Sequence, residues 1–592
     1  MSRIRWSPTQ RMAQPDPQQL LAQAQNLVAS GRLAEAEAIL RRLIQMAPRH
    51  ADLLNQTGLL CHRQGKLNEA ERLIRAAIAV NASPPSYHAN LGAVLLAQGR
   101  PADAVDSFRR AIGLNPGDAM AQYNLGVALR QLNRLDEAID AYQQAVNLKG
   151  DDARALNNLA SSLRAQGRVA EAVACFKKCL EVSPTAESHS NLLYAMWFDP
   201  GSSPADVLAE HERWAQRWAA PLASGIRVPE IDRDPDRRLR IGYVSPDFRQ
   251  HVIALFMQPI LRHRDRTAFE VFCYADVPDP DFMTARLKAD ADTWVQTTGV
   301  SDADLAQRIR ADRIDILVDL TAHMARNRIL TFARKPAPVQ VSYLAYAGTT
   351  GLPAMDFRLS DVHLDPTGVQ TLGPERVIRL PETYWCYQPQ IDLPEVSTRS
   401  VASAQIVFAC YNACAKINPP VIALWSRILQ QLPQSRLRLI VGGGELGNAH
   451  LKQSFAEHGI APERIELHDK TSYESYFLLY HDADIALDPF PYNGGTTTLD
   501  ALYMGLPVIT LAGSSGMSRA GVSILSNAGL ADLIAPSPDD YLRLAVDLAK
   551  DAPRLAELRR TLRQRLIRSP LMDAPRFVRN LESAYRTMWR QP

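Results

Sequence analysis

The sequence has few cysteines, no long hydrophobic run and almost no excess of charge, and each absence excludes a class of protein. The seven cysteines among 592 residues are scattered and odd in number. Cysteines of this kind indicate a reducing compartment rather than a disulfide-bonded secreted fold. No stretch approaches the ~18 apolar residues of a membrane-spanning helix, and a net charge of +3 is too small to predict nucleic-acid binding. We therefore expect a cytoplasmic protein with no membrane or nucleic-acid partner.

Two further absences, of a metal-ligand pattern and of a signal peptide, narrow the function. Cys175 and Cys179 are four residues apart, as are Cys410 and Cys414, and neither pair has a partner pair at zinc spacing. We therefore expect no metal cofactor. Residues 1–19 contain arginines but no apolar segment, so they predict an N-terminal tail rather than a secretory signal.

What the sequence does contain is a repeat of 34 residues, which runs through residues 20–199. Its period and its small residues at fixed positions resemble the tetratricopeptide repeat, in which each unit folds as two amphipathic helices. One series marks the end of the first helix in each of five units, and its members are Gly31, Gly65, Gly99, Asn133 and Gly167. A second series places a small residue where the two helices meet, and its members are Ala24, Gly58, Gly92, Gly126 and Ala160.

Stacked repeats of this kind form an α-solenoid, which here ends with a partial sixth unit near Asp199. Asparagines recur on the first helices, for example Asn55, Asn90 and Asn124. Side-chain amides can bind an extended peptide backbone without reading its sequence. We therefore expect protein acceptors to bind in the solenoid groove. The alternative is a structural spacer, or a surface through which two copies of the chain form a homodimer.

A linker is predicted at residues 200–236. It contains one amphipathic helix, with Trp214 and Trp218 one turn apart on the same face. A polar segment with prolines follows. We expect the helix to pack the solenoid onto the rest of the chain.

Residues 237–400 predict the first of two α/β lobes. Short apolar strands alternate with helical stretches, which is typical of a parallel sheet covered on both faces. Ligands of such sheets bind beyond the carboxyl ends of the strands. The alternative for a histidine at these ends is a structural role, as a helix cap or a buried side chain. The candidate ligand-binding residues at these ends are His251, which can serve as a base or hydrogen-bond donor, and His323, Gly348, Thr349 and Thr350.

Residues 401–592 predict a second lobe of the same kind, organised around residues 485–510. There a buried strand leads into a glycine turn and a helix start, which leave unpaired N–H groups and a positive dipole end facing one spot. Such a spot suits a phosphate. The alternative is an ordinary strand–helix unit. The turn and the helix start consist of Asn493, Gly494, Gly495, Thr496 and Thr497.

Two charged residues complete this candidate phosphate site. Lys416 follows the first strand of the second lobe, at a strand end of the same sheet, and a lysine can bind phosphate as a point charge. A solvent-exposed lysine is the alternative. Asp500 lies about one turn into the helix, where its carboxylate suits ribose hydroxyls better than phosphate.

The order of these parts and several sequence strings resemble the protein O-GlcNAc transferases, which are glycosyltransferases of family 41. The strings include LRIGYVSPDFRQH, RKPAPVQVSYLAYAGTTG and ALDPFPYNGGTTTLDALYMGLPVIT. The resemblance implies a tetratricopeptide-repeat α-solenoid followed by two Rossmann-like α/β lobes, the GT-B fold. It also implies inverting, metal-independent transfer of GlcNAc from UDP-GlcNAc to serine or threonine hydroxyls of proteins.

The resemblance further implies roles for individual residues. His251 stands at the family's essential active-site histidine, and Lys416 at the lysine that stabilises the departing nucleoside diphosphate. Thr496 and Thr497 stand at the phosphate-binding helix start, and Asp500 at the ribose contact. The segment that holds the nucleobase corresponds to Thr471, Ser472, Tyr473 and Tyr476. For a sugar transferase, the candidates on the sugar or acceptor side are then His323, Gly348, Thr349 and Thr350.

The sequence departs from the animal members of this family at several positions. Gly495 stands where they have a histidine and Ala413 where they have a glutamine, so a side-chain contact is lost at each position. The nucleobase segment keeps little of the animal sequence. The sugar and the nucleobase therefore stay open. The alternatives are protein O-fucosyl transfer from GDP-fucose, another sugar transfer of this family, epimerisation of a sugar nucleotide, and a nucleotide-binding scaffold without turnover.

Overall fold

The computed structural model of the protein describes residues 16–226, 232–368, 371–389, 391–397, 405–441, 444–469 and 471–591. The chain forms two compact units, Met1–Ser162 and Leu163–Pro592. The division lies within the helix Ala153–Ala165, so the end of the repeats belongs to the same compact unit as both lobes. Residues 1–15 of the predicted tail lie outside the described residues, and the first described helix begins at Pro17.

The first unit consists of paired helices that pack closely because a small residue stands where they meet. A Cβ on Gly58 would lie 2.6 Å from the Ile74 side chain, and one on Gly92 would lie 2.7 Å from Phe108. The turn after the first helix of each pair contains a residue with positive φ, such as Asn133 at 58°. The predicted roles of the two repeating series are thereby confirmed. The helices are α1 Pro17–Ala29, α2 Leu33–Met46, α3 Ala51–Arg63, α4 Leu67–Val80, α5 Pro85–Ala97, α6 Pro101–Leu114, α7 Ala119–Gln131, α8 Leu135–Leu148 and α9 Ala153–Ala165, which continues into the second unit.

The second unit begins with the end of the solenoid and the linker helix. Trp214 is fully buried, and its indole N–H donates to the backbone oxygen of Ala186 at 3.1 Å. The linker helix therefore packs on the last repeat helix, as its tryptophans predict. A π-helical turn at Ala215–Ala219 follows. The helices are α10 Val169–Val182, α11 Ala186–Met196 and α12 Pro204–Trp214.

The described residues of the first lobe form seven strands, which are β1 Leu239–Ser245, β2 Phe269–Ala275, β3 Thr293–Gln296, β4 Ile316–Asp319, β5 Val339–Ser342, β6 Phe357–Asp361 and β7 Arg376–Leu380. They form one parallel sheet in the order β3-β2-β1-β4-β5-β6-β7. The order reverses between β1 and β4, and ligands of open α/β sheets bind at such a reversal. His251 and His323 follow these two strands. The helices are α13 Val252–His263, α14 Phe282–Asp290, α15 Asp302–Ala311 and α16 Ile329–Phe332.

In the part of the second lobe that the structure describes there are six strands, which are β8 Val407–Cys410, β9 Arg436–Ile440, β10 Ile465–His468, β11 Ile485–Leu487, β12 Val508–Leu511 and β13 Ile534–Ala535. Their order is β10-β9-β8-β11-β12-β13, again all parallel. The reversal lies between β8 and β11, which Lys416 and the glycine turn follow. The helices are α17 Pro419–Gln431, α18 Gly444–Ala456, α19 Tyr473–Leu478, α20 Thr496–Tyr503, α21 Ala520–Asn527, α22 Pro538–Lys550, α23 Ala552–Ile567 and α24 Ala574–Arg590. Among the described residues, no helix combines the length and apolar content needed to cross a membrane.

Some elements differ from the sequence prediction. Strands β3, β6, β7 and β13 were not predicted from the sequence. Strand β3 is the half-exposed outer strand of its sheet, and β13 has only two residues, so neither shows a clear apolar pattern.

The last helix, α24, packs on the first lobe although it follows the second lobe in the sequence. The Tyr585 hydroxyl lies 3.0 Å from the Tyr243 hydroxyl on β1, and Arg586 donates to the backbone oxygen of Ala268 at 3.1 Å. The chain thus crosses back between the lobes at its C-terminal end.

Candidate active site

A glycine turn connects β11 to helix α20. Asp488, just after the strand, accepts a hydrogen bond from the Gly494 N–H at 2.6 Å. A Cβ on Gly494 would lie 2.7 Å from Thr497 Oγ1 and 2.9 Å from Asp488, so only glycine fits without a rearrangement. A Cβ on Gly495 would meet only Trp385, at 3.9 Å, so this position has room for a side chain.

Helix α20 begins at Thr496 without a capping side chain. Its N-cap residue is Gly495, and among the described residues no side chain accepts a capping hydrogen bond at this end. The first N–H groups and the positive end of the helix dipole therefore remain available to an anion. This is the arrangement in which helix starts bind phosphate.

Lys416 lies beside this helix start. It ends the short 3-10 turn Cys414–Lys416 after β8, and β8 pairs with β11 in the sheet. Its ammonium donates to the backbone oxygen of Asn493 at 2.7 Å and to Oδ1 of Asn412 at 3.0 Å. Burial lowers the pKa of Lys416 to about 8, while the nearby Asp488 opposes this decrease. The side chain is therefore mainly a cation at neutral pH.

Asn412 connects the lysine to the helix. Its buried side-chain oxygen accepts hydrogen bonds from Lys416 and, at 2.9 Å, from Thr497 Oγ1. One amide oxygen thus holds a cation and a helix-start hydroxyl close together. The sequence prediction did not include Asn412, although its position directly after β8 is a signal that could have found it.

Asp500 is buried one turn into α20. The Tyr387 hydroxyl donates to its Oδ1 at 2.6 Å, and the Tyr476 hydroxyl donates to its Oδ2 at 3.2 Å. Burial raises the pKa of Asp500 to about 7, and the two hydroxyls oppose this increase. Tyr387 comes from the segment between the lobes and was not predicted. A ribose hydroxyl bound here would share the carboxylate with these tyrosines.

The predicted nucleobase segment reaches the site through Tyr476. Thr471 and Ser472 are exposed, and Ser472 Oγ caps α19 by accepting the Ser475 N–H at 3.3 Å. Tyr473 and Tyr476 are half-buried. Because Tyr476 bonds to the carboxylate of Asp500, this segment lies next to the helix that starts at the glycine turn.

His251 caps helix α13 at the end of β1. Its Nδ1 accepts the Ile253 N–H at 3.3 Å and lies 3.8 Å from the Asp247 carboxylate. Burial lowers the pKa of His251, and Asp247 opposes the decrease while Arg249 reinforces it. The side chain keeps 26% of its surface exposed, so part of the ring is open to a ligand.

His323 has a different place. It is 0% exposed, with Nε2 at 2.8 Å from the Thr350 backbone oxygen and Nδ1 at 3.0 Å from Ser190 Oγ. Its ring packs edge-on against Trp214, with 4.8 Å between centroids. Burial lowers the pKa of His323 well below its usual value. The structure therefore places this histidine in the core beneath the end of the solenoid, rather than on a sugar or acceptor surface.

The predicted residues in the loop after β5 also differ in their surroundings. The hydroxyls of Thr349 and Thr350 both donate to Glu375, and both threonines are buried. Gly348 and Thr349 nevertheless line a cavity of about 230 Å³, whose opposite wall includes Gly513 of the second lobe. Of the residues predicted in this loop, Gly348 and Thr349 face the space between the lobes.

The sequence matches known families along most of its length. Residues 225–405 and 389–581 match the family described as Glycosyl transferase family 41. Tetratricopeptide repeat families match residues 21–87, 89–152 and 153–185. The residues that match the repeat families are those that form the helical pairs, and the residues that match family 41 are those that contain the two parallel sheets.

Two plant proteins show the sequence similarity. The chain is 37% identical over 435 residues to a protein of Oryza sativa subsp. japonica named Probable UDP-N-acetylglucosamine--peptide N-acetylglucosaminyltransferase SPINDLY. This alignment covers 70% of this chain and 46% of that protein. It is 33% identical over 368 residues to the Arabidopsis thaliana protein with the same enzyme name and the designation SEC, with coverages of 60% and 37%. The chain thus spans about half or less of the length of these curated relatives.

A solved structure extends the similarity to the fold. A mutant O-GlcNAc transferase of Thermobaculum terrenum aligns with a TM-score of 0.80 at 37% identity, over 86% of this chain and 98% of that one. At this coverage the alignment includes residues of the repeats and of both lobes. From the family match over both lobes and this structural agreement, the chain belongs to glycosyl transferase family 41.

Proposed function

We propose that the protein is an inverting glycosyltransferase that moves GlcNAc from UDP-GlcNAc to serine or threonine hydroxyls of proteins without a metal ion. One observation carries the proposal: the Lys416 ammonium is bonded to Asn412 and Asn493 beside a helix start that no side chain of the described residues caps. A cation and backbone N–H groups that converge on one turn suit a diphosphate. The names of the plant and bacterial relatives support GlcNAc as the sugar.

The proposed chemistry uses these groups on the leaving side. The acceptor oxygen forms a bond to the anomeric carbon while the bond from that carbon to the diphosphate oxygen breaks. The hydroxyl proton of the acceptor passes to a general base, and the nucleoside diphosphate departs with the electron pair. Negative charge develops on the diphosphate, so Lys416, the helix dipole, the hydroxyl of Thr496 and the backbone N–H of Thr497 stabilise the transition state more than the bound donor.

The proposed role of His251 is to position the sugar or the acceptor. Because its Nδ1 accepts the Ile253 N–H, the neutral ring carries its proton on Nε2. That nitrogen donates a hydrogen bond and does not remove a proton. An oxygen of the sugar or the acceptor is a suitable partner, and the general base is then a different group.

The repeats are the proposed acceptor-binding part. Asn90 donates a 3.0 Å hydrogen bond to Asn55 of the preceding repeat, and Asn158 donates to the Tyr123 hydroxyl at 3.3 Å. Asn90, Asn124 and Asn158 are half-buried, so their amides stay partly open. Amides spaced by one repeat can bind the backbone of an extended peptide whatever its sequence.

Labelled sugar nucleotides test the proposal directly. The protein is incubated with UDP-GlcNAc or GDP-fucose, with and without cell lysate. We expect labelled protein from UDP-GlcNAc, none from GDP-fucose, and no loss of rate when a chelator is added. Label from GDP-fucose would contradict the donor, and a chelator-sensitive rate would contradict metal independence. An epimerised sugar nucleotide, or no product at all, would contradict protein glycosylation.

A further inference from the structure

The end of the solenoid contacts the residues that surround Lys416. Tyr492, in the turn before α20, stacks on Phe198 with 4.6 Å between ring centroids and 6° between ring planes. Tyr194 of helix α11 meets the same ring edge-on at 6.5 Å. The Lys416 Nζ lies 4.5 Å from the centroid of the Tyr492 ring. One tyrosine ring therefore contacts both the solenoid end and the lysine assigned to the diphosphate.

A second contact reaches the lysine through its own 3-10 turn. Cys414 begins this turn, and its thiol donates to the backbone oxygen of Gln166 at 3.3 Å. Gly167 lies so close that a Cβ there would be 3.1 Å from both the sulfur and the backbone oxygen of Cys414. Gln166 and Gly167 form the turn between α9 and α10. The last complete repeat is thus packed against the element that carries Lys416.

A lysine at a phosphate site needs such support. Its ammonium is a point charge at the end of a flexible four-carbon stem, and its three donors can rotate. Asn412 and Asn493 are buried and hold the ammonium from the side of the turn. The aromatic ring of Tyr492 adds an attraction between the cation and the face of the ring. Tyr492 is half-buried, so its ring orientation depends on the stack with Phe198.

We propose that Tyr492 is a positioning residue for Lys416, and that Phe198 at the end of the solenoid holds Tyr492 in place. The inference rests on the proposed function, because it takes the Lys416 ammonium to bind the donor diphosphate. It extends that function by making the last repeat a part of the donor site. The solenoid then supports the leaving-group side of the reaction as well as binding the acceptor.

Binding of UDP and of uridine separates positioning from general distortion, because only UDP carries the diphosphate. We expect Tyr492→Leu and Phe198→Leu to weaken UDP binding about 3- to 30-fold and to leave uridine binding unchanged. Tyr492→Phe keeps the ring and should bind UDP like the unaltered protein. Phe282→Leu is the matched control, because this exposed ring stacks under Arg286 at 5.2 Å in the first lobe. It should change neither affinity.

A double-mutant cycle shows whether Tyr492 acts through Lys416. In a Lys416→Ala background, Tyr492→Leu should cause no further loss of UDP binding, since the cation it positions is gone. Additive losses, or an equal loss of uridine binding, would overturn the inference. Melting temperatures are measured for every variant, and Phe198→Leu completes the same cycle should Tyr492→Leu not fold.

Failure of the inference and failure of the proposed function give different results. If the unaltered protein transfers sugar and binds UDP while the two leucine variants bind it equally well, only the positioning role is refuted. If the unaltered protein binds no UDP, the proposed donor is refuted, and the same cycle is run with GDP and guanosine.

Discussion

The alkaline limb of the donor kcat/KM profile is a sharp test of the role proposed for Lys416. Burial lowers the pKa of this lysine to about 8, so the free protein carries an ammonium below that pH and a neutral amine above it. The amine has no charge with which to stabilise the departing diphosphate. Because kcat/KM reports on the free enzyme, we expect it to fall as the pH rises through about 8. The alkaline limb of the kcat profile should lie at higher pH than that of the kcat/KM profile, since the bound diphosphate raises the pKa of the lysine.

The expected size of the effect follows from the contacts of the ammonium. Removing one preorganised donor to developing negative charge typically lowers kcat by about 10²–10³, or roughly 2.7–4 kcal/mol. Asn493 and Asn412 hold the Lys416 ammonium at 2.7 and 3.0 Å, so little reorganisation is needed during the reaction. The site is half-buried, which limits screening by water. We therefore expect Lys416→Ala to fall near the upper end of this range.

Initial rates of GlcNAc transfer to protein, measured between about pH 6 and 10, give both profiles. Lys416→Ala should be slow throughout and should lose the limb near pH 8. Lys416→Arg is the matched variant, because a guanidinium keeps its charge over this whole range, and its limb should disappear from the same region. A limb near pH 8 that persists in Lys416→Ala would belong to another group and would refute the assignment. Melting temperatures confirm that both variants fold.

The buried residues around the site give three further expectations. Burial raises the pKa of Asp500 to about 7, so the folded protein holds this proton more tightly than the unfolded chain, and stability falls as the pH rises from about 4 through 7. Asp500→Asn should therefore raise the free energy of unfolding by about 1–3 kcal/mol at pH 8 and leave it unchanged near pH 4. Calorimetry should show that this variant binds nucleotide more weakly, and unchanged affinity would contradict the ribose contact. Gly494→Ala should abolish nucleotide binding because its Cβ would meet a hydroxyl at 2.7 Å, whereas Gly495→Ala has 3.9 Å of room and should bind normally, so equal effects would contradict this view of the turn. His323→Ala should lower the free energy of unfolding by about 2–4 kcal/mol without changing KM. His251→Ala should lower kcat at a nearly constant melting temperature. The reverse pattern would make His251 the structural histidine and His323 the active-site histidine.

The repeats and the glycine turn show what the local sequence can predict. Each helix pair is built from neighbouring residues, so the need for a small residue such as Gly58 opposite Ile74 recurs at a constant spacing. The requirement for glycine at 494 arises in the same way, because Asp488 and Thr497 lie within a few residues of it. The strand order of the second lobe then brings Lys416 to this turn, as the positions of the strand ends predict.

The candidate histidines and the last helix show where local pattern is insufficient. His251 and His323 both follow strands at the reversal of the first sheet, and the local apolar pattern is alike around both, so it does not distinguish a buried histidine from an open one. Ser190, far away in the chain, bonds to His323 and makes it a core residue. Likewise, α24 follows the second lobe but packs on the first, because Tyr585 meets Tyr243 there.

The sequence by itself determined the period of the repeats, the two parallel sheets and the phosphate-type turn, since each depends on residues close together in the chain. Only the tertiary structure decided which distant side chains complete the site: Tyr387 on Asp500, Asn412 between Lys416 and Thr497, and Phe198 behind Tyr492. The physical reason is that such pairs form through the packing of whole elements against one another. No spacing along the chain encodes that packing, so the glycine turn and its helix start were predictable and the contacts that orient Lys416 were not.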